Sequence, residues 1–237
     1  MILSPVEQSI KRKIESIGTP LKDWNIKIYR GILTGYNEAF IIDGKKKDEL
    51  ISADSKSAEI IRPILRGRDI KRYGFDFADL WLINTHNGIK DKDIPPVDIN
   101  QYPAVKAHLD KYWDKISVRN DKGYTPYNLR NCVYTDDFSK QKIVWGEISD
   151  KPKFALDTCG EYTISNTAFM LTGDHLEYLV AILNSEYSQY CFSRISTTTG
   201  EGTVRWLKYK IETLPIPPLN RIAEKTILRQ HRTKSTN

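Results

Sequence analysis

The chain has 237 residues, and 36 Lys and Arg against 30 Asp and Glu give it a formal net charge of +6. Its content of 40% hydrophobic and 11% aromatic residues is enough for a folded core, which excludes wholesale disorder, a collagen-like repeat and a disulfide-stapled miniprotein. No run approaches the roughly 18 to 20 apolar residues of a membrane-spanning helix, and the charged N-terminus has no signal-like apolar core, so we expect an intracellular, cytoplasmic chain without a membrane partner.

The first half of the chain is predicted to form one helix followed by short strands. Ser4 and Glu7 have the spacing of a capping box, and an apolar stripe of helical period follows them. Apolar and polar residues then alternate, and strands are predicted on both sides of the turn at 35–37 and again at 80–84. The segment 43–57 is charged and is expected to be a loop.

The second half is predicted to contain further helices and a group of strands. The helices span roughly 102–117, 174–191 and 220–232, and the strands lie near 142–148, 154–157 and 163–171. Strand clusters beside separate helices indicate an α+β fold, most simply a single mixed domain of short, largely antiparallel strands with several packed helices. We expect an N-terminal helix at 1–19, which could equally be a linker from a missing catalytic domain, a main domain at 20–219, and a basic C-terminal helix or tail at 220–237.

The chain carries no sequence motif of a catalytic site. There is no P-loop, no GxGxxG after a strand, no GxSxG and no HExxH. The three cysteines lie far apart without CxxC spacing, which indicates reduced thiols rather than zinc ligands. Asp43, Asp54 and Lys56 have the loose spacing of a metal-dependent nuclease, but such a trio arises easily by chance among 28% charged residues. We expect no catalytic residue, metal or cofactor in this chain.

The modest net charge hides two basic clusters. Residues 62–72 carry five cations against Asp69 alone, a net charge of +4, and residues 205–237 carry a net charge of +6. Lys and Arg concentrated in this way neutralise phosphates, and Arg also pairs with guanine in the major groove, although a solvated surface loop is the alternative. The candidate DNA-binding residues in the first cluster are Arg62, Arg66, Arg68, Lys71 and Arg72.

Two polar loops add further candidates. Segment 119–131 interleaves cations, aromatic rings and amides, which are the groups that a nucleic-acid-binding loop uses for phosphates, for stacking and for adenine edges. Segment 197–208 combines Thr and Gly with cations. Either segment could instead be a plain connection, because loops favour Gly, Asn and Thr for turn geometry. The candidate DNA-binding residues here are Arg119, Lys122, Tyr124, Tyr127, Asn128, Arg130, Asn131, Thr198, Arg205 and Lys208.

A set of short motifs in a fixed order carries a family resemblance. The motifs are GILTGYNEAF at 31–40, RPILRGRDI at 62–70, YPAVK at 102–106, the polar stretch 119–131, NTAF at 166–169, the segment 179–185 and LPIPPL at 214–219. Over roughly residues 20–219 this order resembles the TaqI-like C-terminal specificity domain of adenine-specific DNA methyltransferases. Such domains occur in type IIG restriction-modification enzymes and, in related form, as the target recognition domains of type I specificity subunits.

The resemblance implies that residues 20–219 are a target recognition domain. Such a domain grips double-stranded DNA opposite a separate adenine methyltransferase domain or subunit, so the chain is expected not to be an enzyme on its own. S-adenosylmethionine, and magnesium where a nuclease is present, would belong to the missing catalytic parts. Base-reading residues vary with target sequence in this family, so the candidates above rest on their chemistry and loop position. Two alternatives stay open: a subunit-docking module built on the terminal helices, and a stand-alone metal-dependent nuclease.

Overall fold

The computed structural model describes residues 4–196 and 202–219. Within these ranges the helices are α1 (Pro5–Ile17), α2 (Asn37–Phe40), α3 (Gly44–Ala53), α4 (Pro103–Asp110), α5 (Trp113–Ile116), α6 (Leu176–Leu183), α7 (Glu186–Ile195) and α8 (Lys208–Ile211). The strands are β1 (Thr19–Pro20), β2 (Ile26–Arg30), β3 (Ile41–Asp43), β4 (Ile61–Leu65), β5 (Ile70–Lys71), β6 (Gly74–Phe75), β7 (Leu80–Ile83), β8 (Lys142–Gly146), β9 (Ile148–Ser149), β10 (Phe154–Asp157), β11 (Thr163–Ile164), β12 (Ala168–Gly173), β13 (Val204–Arg205) and β14 (Pro215–Ile216). The predicted α+β fold with short, largely antiparallel strands is confirmed.

Two four-stranded sheets organise the described residues. The first has the order β10-β8-β12-β2 and is antiparallel throughout. The second has the order β11-β4-β7-β3, in which β11 pairs with β4 in parallel although it comes from the second half of the chain. The two halves of the sequence are thereby joined within one sheet. The basic C-terminal segment predicted at 220–237 lies outside the described residues.

Strand β8 shows how the first sheet is covered on both faces. All five of its residues are buried. Side chains of a strand point alternately to opposite faces, so Trp145 packs into the core that contains Leu179 of α6, whereas Val144 packs with Met170 on the other face. The second sheet has a separate apolar core, built largely against α4. The first sheet is therefore packed on both of its faces, and the second sheet is packed on a core of its own.

Several predicted elements differ from those observed. The predicted long helix at 174–191 is broken between α6 and α7, because the Asn184 side chain pairs with both the N–H and the C=O of Phe154, at 3.0 and 2.8 Å, and Ser185 caps α7. The helix predicted at 102–117 is likewise divided into α4 and α5. The segment predicted as a charged loop contains α3, which Asp43 caps by accepting a hydrogen bond from the Lys46 N–H.

The two sheets approach each other where β2 ends. The N–H of Ile32 donates to the carbonyl of Ile164 at 2.8 Å, and Ile32 forms an isolated parallel bridge with Ser165. A Cβ on Gly31 would lie 2.1 Å from the Ser165 carbonyl oxygen, so the backbones meet here only because residue 31 has no side chain. This contact fixes the position of Arg30 relative to the turn that precedes β12.

Candidate nucleic-acid interface

A cleft of about 370 Å³ opens beside the contact between the two sheets. Arg30 lines it from the end of β2, and Asn84 lines it from the end of β7. Guanidinium and amide groups dominate its polar lining, together with one imidazole: Arg30, Arg130, Asn84, Asn87, Asn131, Asn166 and His86. Burial lowers the pKa of His86, which favours its neutral form. These groups are the side chains that form paired hydrogen bonds with the base edges of DNA.

Arg30 is held in the cleft by its neighbours. Its Nε donates to the Asn166 carbonyl at 2.8 Å, and its Nη2 donates to Glu147 Oε2 at 2.8 Å. The other oxygen of Glu147 lies 3.6 Å from Nη1 of Arg205. Both arginine side chains remain more than half exposed, whereas Glu147 is 14% exposed. One nearly buried carboxylate therefore orients two cations and leaves them accessible.

The turn of residues 165–167 also contacts Gly67, which lies within the first basic cluster. The Gly67 N–H donates to Thr167 Oγ1 at 3.0 Å, and a Cβ on Gly67 would lie 2.5 Å from the Thr167 carbonyl oxygen. The same carbonyl accepts the N–H of Glu147 at 2.9 Å. Arg68, next to Gly67, is exposed and makes no side-chain hydrogen bond or ion pair within residues 4–196 and 202–219. Arg68 is therefore a cation that can accept an anionic ligand.

Two arginines of the predicted cluster are bound within the fold. Arg66 forms a bidentate pair with Asp69, with Nε and Nη2 at 2.9 and 2.7 Å from the two carboxylate oxygens. Burial raises the pKa of Asp69, but hydrogen bonds from the Arg66 side chain and backbone outweigh it, and the net effect is a lowered pKa. Arg62 donates to the carbonyls of residues 58, 59 and 61 at 2.7 to 3.1 Å. The interpretation of these two side chains as DNA contacts is not supported by their internal bonding.

The end of the cluster lies at the opposite edge of the first sheet. Arg72 donates to the Asn184 carbonyl at 2.8 Å, beside edge strand β10, whereas Arg30 lies on the other edge strand, β2. Lys71 is exposed and lies 3.6 Å from the carboxylate of Asp76. The five cations at 62–72 are thus distributed over different places, and within the described residues Arg68 is the one that makes no side-chain hydrogen bond or ion pair.

The guanidinium of Arg119, a DNA-binding candidate in the loop of residues 119–131, lies inside the protein. Arg119 is only 7% exposed. Its guanidinium donates to the carbonyls of Thr34, Asp121, Pro126 and Asn128 and packs 4.4 Å above the Phe40 ring. Burial lowers the pKa of Arg119 to about 10, so the group stays charged at neutral pH. Its four acceptors explain why a cation is tolerated inside: it fixes the loop backbone.

Asn128 and Tyr127 are also used inside the protein. The Asn128 side chain donates to the Val97 carbonyl at 2.9 Å and accepts from the Thr125 hydroxyl at 2.6 Å, and Asn128 is 1% exposed. Tyr127 donates its hydroxyl to Asp110 at 2.5 Å and packs against Trp113. The polar atoms of Asn128 therefore already have partners in the interior in this conformation, and its role in reading a base edge stays a prediction.

The remaining loop candidates are accessible. Tyr124 is 86% exposed, and Arg130, 63% exposed, lies 3.4 Å from Asp121 while lining the cleft together with Asn131. Lys122 is exposed and donates to the Ser117 carbonyl at 2.7 Å. The structure therefore brings part of this loop to the cleft.

The second polar loop is only partly described. Thr198 lies outside the described residues. Arg205 reaches the surface around the cleft through Glu147, as described above. Lys208 is exposed at the start of α8 and pairs with Glu212 at 3.7 Å. Within this loop, Arg205 is therefore linked to Arg30 through the carboxylate of Glu147 that both side chains share.

The nuclease-like trio has a structural explanation. Asp43 caps the N-terminus of α3, and Asp54 follows its C-terminus and accepts from the Lys56 N–H at 3.2 Å. A ten-residue helix separates the two carboxylates, which places them about 15 Å apart along its axis. One metal ion cannot bind both. No group of three His, Cys, Asp or Glu side chains suited to a metal occurs in the described part of the chain, and no described helix is long and apolar enough to cross a membrane.

The described fold brings guanidinium and amide groups together around one cleft. A family model, the TaqI-like C-terminal specificity domain, matches residues 62–216, roughly two thirds of the chain. The chain belongs to this family, and the resemblance drawn from the sequence motifs is confirmed.

Two solved structures of restriction-modification enzymes have a similar fold. The type IIG restriction endonuclease BpuSI matches with a TM-score of 0.62 and 17% identity over 95% of this chain and 27% of that protein. The type IIL restriction-modification enzyme MmeI, solved in complex with DNA, matches with a TM-score of 0.65 and 14% identity over 92% of this chain and 29% of that protein. The chain spans less than a third of either enzyme. No curated protein has a significantly similar sequence.

Proposed function

We propose that this chain is the sequence-specific, double-stranded DNA recognition domain of a type IIG-like restriction-modification adenine methyltransferase. It directs a separate S-adenosylmethionine-dependent catalytic domain to its site and has no activity alone. One observation carries the proposal: two arginines and four amides converge on the cleft between the two sheets. Family membership supports the recognition role, and the DNA in the MmeI structure supports the choice of ligand.

The chemistry of the cleft suits base edges. Arginine forms two hydrogen bonds with O6 and N7 of guanine, and asparagine forms two with N6 and N7 of adenine, so each side chain distinguishes a base pair by about 1 to 3 kcal/mol. Arg130 provides the first kind of contact, and Asn84 and Asn131 provide the second, whereas Arg30 and Asn87 already use polar atoms within the protein. Recognition of several base pairs can therefore be built from this one surface.

Exposed cations outside the cleft supply affinity without sequence preference. Arg68, Lys122, Arg205 and Lys208 are exposed. Each cation that meets a phosphate releases condensed counterions, which makes binding sensitive to salt. The division between base-reading groups in the cleft and phosphate-binding groups around it is the usual arrangement of a DNA-binding surface.

Fluorescence anisotropy with labelled duplex DNA tests the proposal. We expect affinity to fall steeply between about 50 and 200 mM salt. Arg130→Ala should reduce the slope of log K against log salt by about 1 if Arg130 meets a phosphate, or relax one base position if it meets a guanine. Lys45→Ala, which removes an exposed cation on α3, is the matched control and should change neither. Absence of binding at micromolar protein would refute the function.

A test for catalysis accompanies the binding measurement. We expect the chain to leave plasmid DNA intact in the presence of magnesium and to transfer no label from S-adenosylmethionine. Cleavage or methylation by the purified chain would contradict the proposed division between recognition and catalysis.

A second function, docking to a neighbouring domain or subunit, is favoured by helix α1. None of its residues is buried, and Val6, Ile10 and Ile17 are 68, 41 and 51% exposed. Its Glu7 pairs with Arg194 of α7 at 3.0 Å and its Ile14 packs against the core of the first sheet, so the helix is fixed to the body of the domain while Val6, Ile10 and Ile17 remain exposed. Docking would coexist with DNA recognition. Light scattering of the chain with and without a methyltransferase subunit, using Val6→Asp and Ile10→Asp, tests it.

A further inference from the structure

The loop of residues 120–128 presents one aromatic ring to solvent. Tyr124 is 86% exposed, the highest exposure among the large hydrophobic side chains of the described residues. The other aromatic residue of this loop behaves differently, since Tyr127 bonds to Asp110 and packs against Trp113 with ring centroids 5.4 Å apart. A single exposed ring is common on protein surfaces and proves nothing alone. Its support by the backbone distinguishes this one.

The backbone on both sides of Tyr124 is anchored. Arg119 binds the carbonyl of Asp121 before the ring and those of Pro126 and Asn128 after it, at 2.6 to 3.0 Å. The Gly123 N–H donates to the Asn128 carbonyl at 2.9 Å, which closes the loop on itself. A buried cation and a closed loop leave the Cα of Tyr124 little freedom.

A further hydrogen bond acts on Tyr124 itself. Its N–H donates to the side-chain oxygen of Asn87 at 2.5 Å. Asn87 also lines the cleft, so this bond places the base of the tyrosine at the cleft rim. On the other strand of the loop, Arg130 lines the cleft and pairs with Asp121. The backbone of Tyr124 is therefore anchored beside the cleft-lining side chains Asn87 and Arg130.

A rigidly held tyrosine is suited to stacking. Its side chain has few rotatable bonds, so little conformational entropy is lost when its ring is covered. Side chains inserted between base steps unstack DNA at a cost that additional protein contacts offset. When the backbone that carries the ring is already ordered in the free protein, less conformational entropy is lost on binding, which lowers the total cost of unstacking the DNA.

We propose that Tyr124 is a stacking wedge that packs its ring against a base step of the bound duplex, and that the anchored loop exists to hold it there. The proposal rests on the proposed DNA-recognition function and deepens it by assigning an uncharged contact. Stacking moves no counterion, so its contribution is separable from those of the surrounding cations by salt dependence.

The experiment compares Tyr124→Ala with Tyr124→Phe in the full chain, on duplexes selected from a random pool by the wild-type protein. Tyr124→Ala should weaken binding by about 5- to 150-fold without changing the slope of log K against log salt. Tyr124→Phe keeps the ring and should bind within about twofold of the wild type, and so should the control Val118→Ala, whose side chain is 73% exposed near the same loop.

A spectroscopic measurement identifies the step. With 2-aminopurine placed at successive positions of the selected duplex, wild type and Tyr124→Phe should raise its fluorescence at one step, and Tyr124→Ala should not. Unchanged affinity of Tyr124→Ala, or a loss that also reduces the salt slope, would overturn the wedge while DNA recognition stands. If the wild-type chain selects and binds no duplex, the proposed function fails and the wedge fails with it.

Discussion

Replacement of Arg119 tests whether this arginine supports the interface or belongs to it. Four hydrogen bonds from a charged donor contribute about 1.5 kcal/mol each at the low end, or about 6 kcal/mol together. Burial opposes this: the lowering of the Arg119 pKa to about 10 corresponds to about 3 kcal/mol. The packing of the guanidinium on Phe40 adds about 1 to 2 kcal/mol. Arg119→Ala should therefore destabilise the fold by about 4 kcal/mol.

Urea unfolding followed by tryptophan fluorescence measures this loss. Arg119→Lys is the matched control: it keeps the charge, but one ammonium group has three donors and cannot bind four carbonyls, so about half of the loss is expected. A change of 4 kcal/mol is a large share of the roughly 5 to 15 kcal/mol that typically separates folded and unfolded states. The variants should therefore be assayed near the usual temperature of maximum stability, about 10 to 20 °C.

The pattern of the two readouts decides the role of Arg119. A structural arginine predicts that stability falls first, and that any loss of DNA affinity follows the loss of loop order, which hydrogen exchange at residues 121–128 reports. A stability change below about 1 kcal/mol together with a more than tenfold loss of DNA affinity would refute the reasoning and indicate that Arg119 contacts DNA.

Three further variants test other parts of the fold and site. Asp69→Asn should make the free energy of unfolding less dependent on pH in the acid range. The folded-state pKa of Asp69 is lowered, so its contribution to stability is present above about pH 4 and is lost as the pH falls through that lower pKa. An unchanged pH dependence of unfolding in the acid range, followed by circular dichroism, would contradict this. Glu147→Gln should release the two arginines that Glu147 binds, so that affinity for random duplexes rises while discrimination falls; lower random-sequence affinity in anisotropy assays would count against it. Gly31→Ala forces a Cβ to 2.1 Å from the Ser165 oxygen and should cost about 1 to 3 kcal/mol in urea unfolding, and wild-type stability would show that the sheets can separate freely.

The sequence was sufficient for the class of fold and for the family. The alternation of apolar residues predicted β2 and β7, and the capping box predicted α1, because these signals are local. The break between α6 and α7 was not predictable from the helical periodicity of the apolar residues, since it depends on a hydrogen bond between Asn184 and Phe154 of β10, thirty residues earlier in the chain. The ordered motifs succeeded because several of them mark contacts between distant segments, such as Gly31 with Ser165 and Gly67 with Thr167.

The candidate site was predicted only in part. Arg119 and Asn128 have the composition of a binding loop, but the same cations and amides also satisfy a loop's own carbonyls, and composition cannot separate the two uses. Arg30 was missed although the sequence carries a signal for it. The alternation of Ile26 and Ile28 predicts an apolar residue at position 30, and an arginine occupies that position instead. Asn84, Asn87 and Asn166 were missed because the cleft is assembled from segments far apart in the chain.

Selection of bound duplexes from a random pool tests most directly whether the cleft reads sequence. The wild-type chain should enrich one short motif. The double variant Asn84→Ala and Asn131→Ala should bind the pool with similar overall affinity and the same salt dependence, yet enrich a motif that has lost at least one adenine-containing position. If the wild-type chain binds DNA but enriches no motif, or if the double variant enriches the unchanged motif, recognition of sequence by this cleft is contradicted.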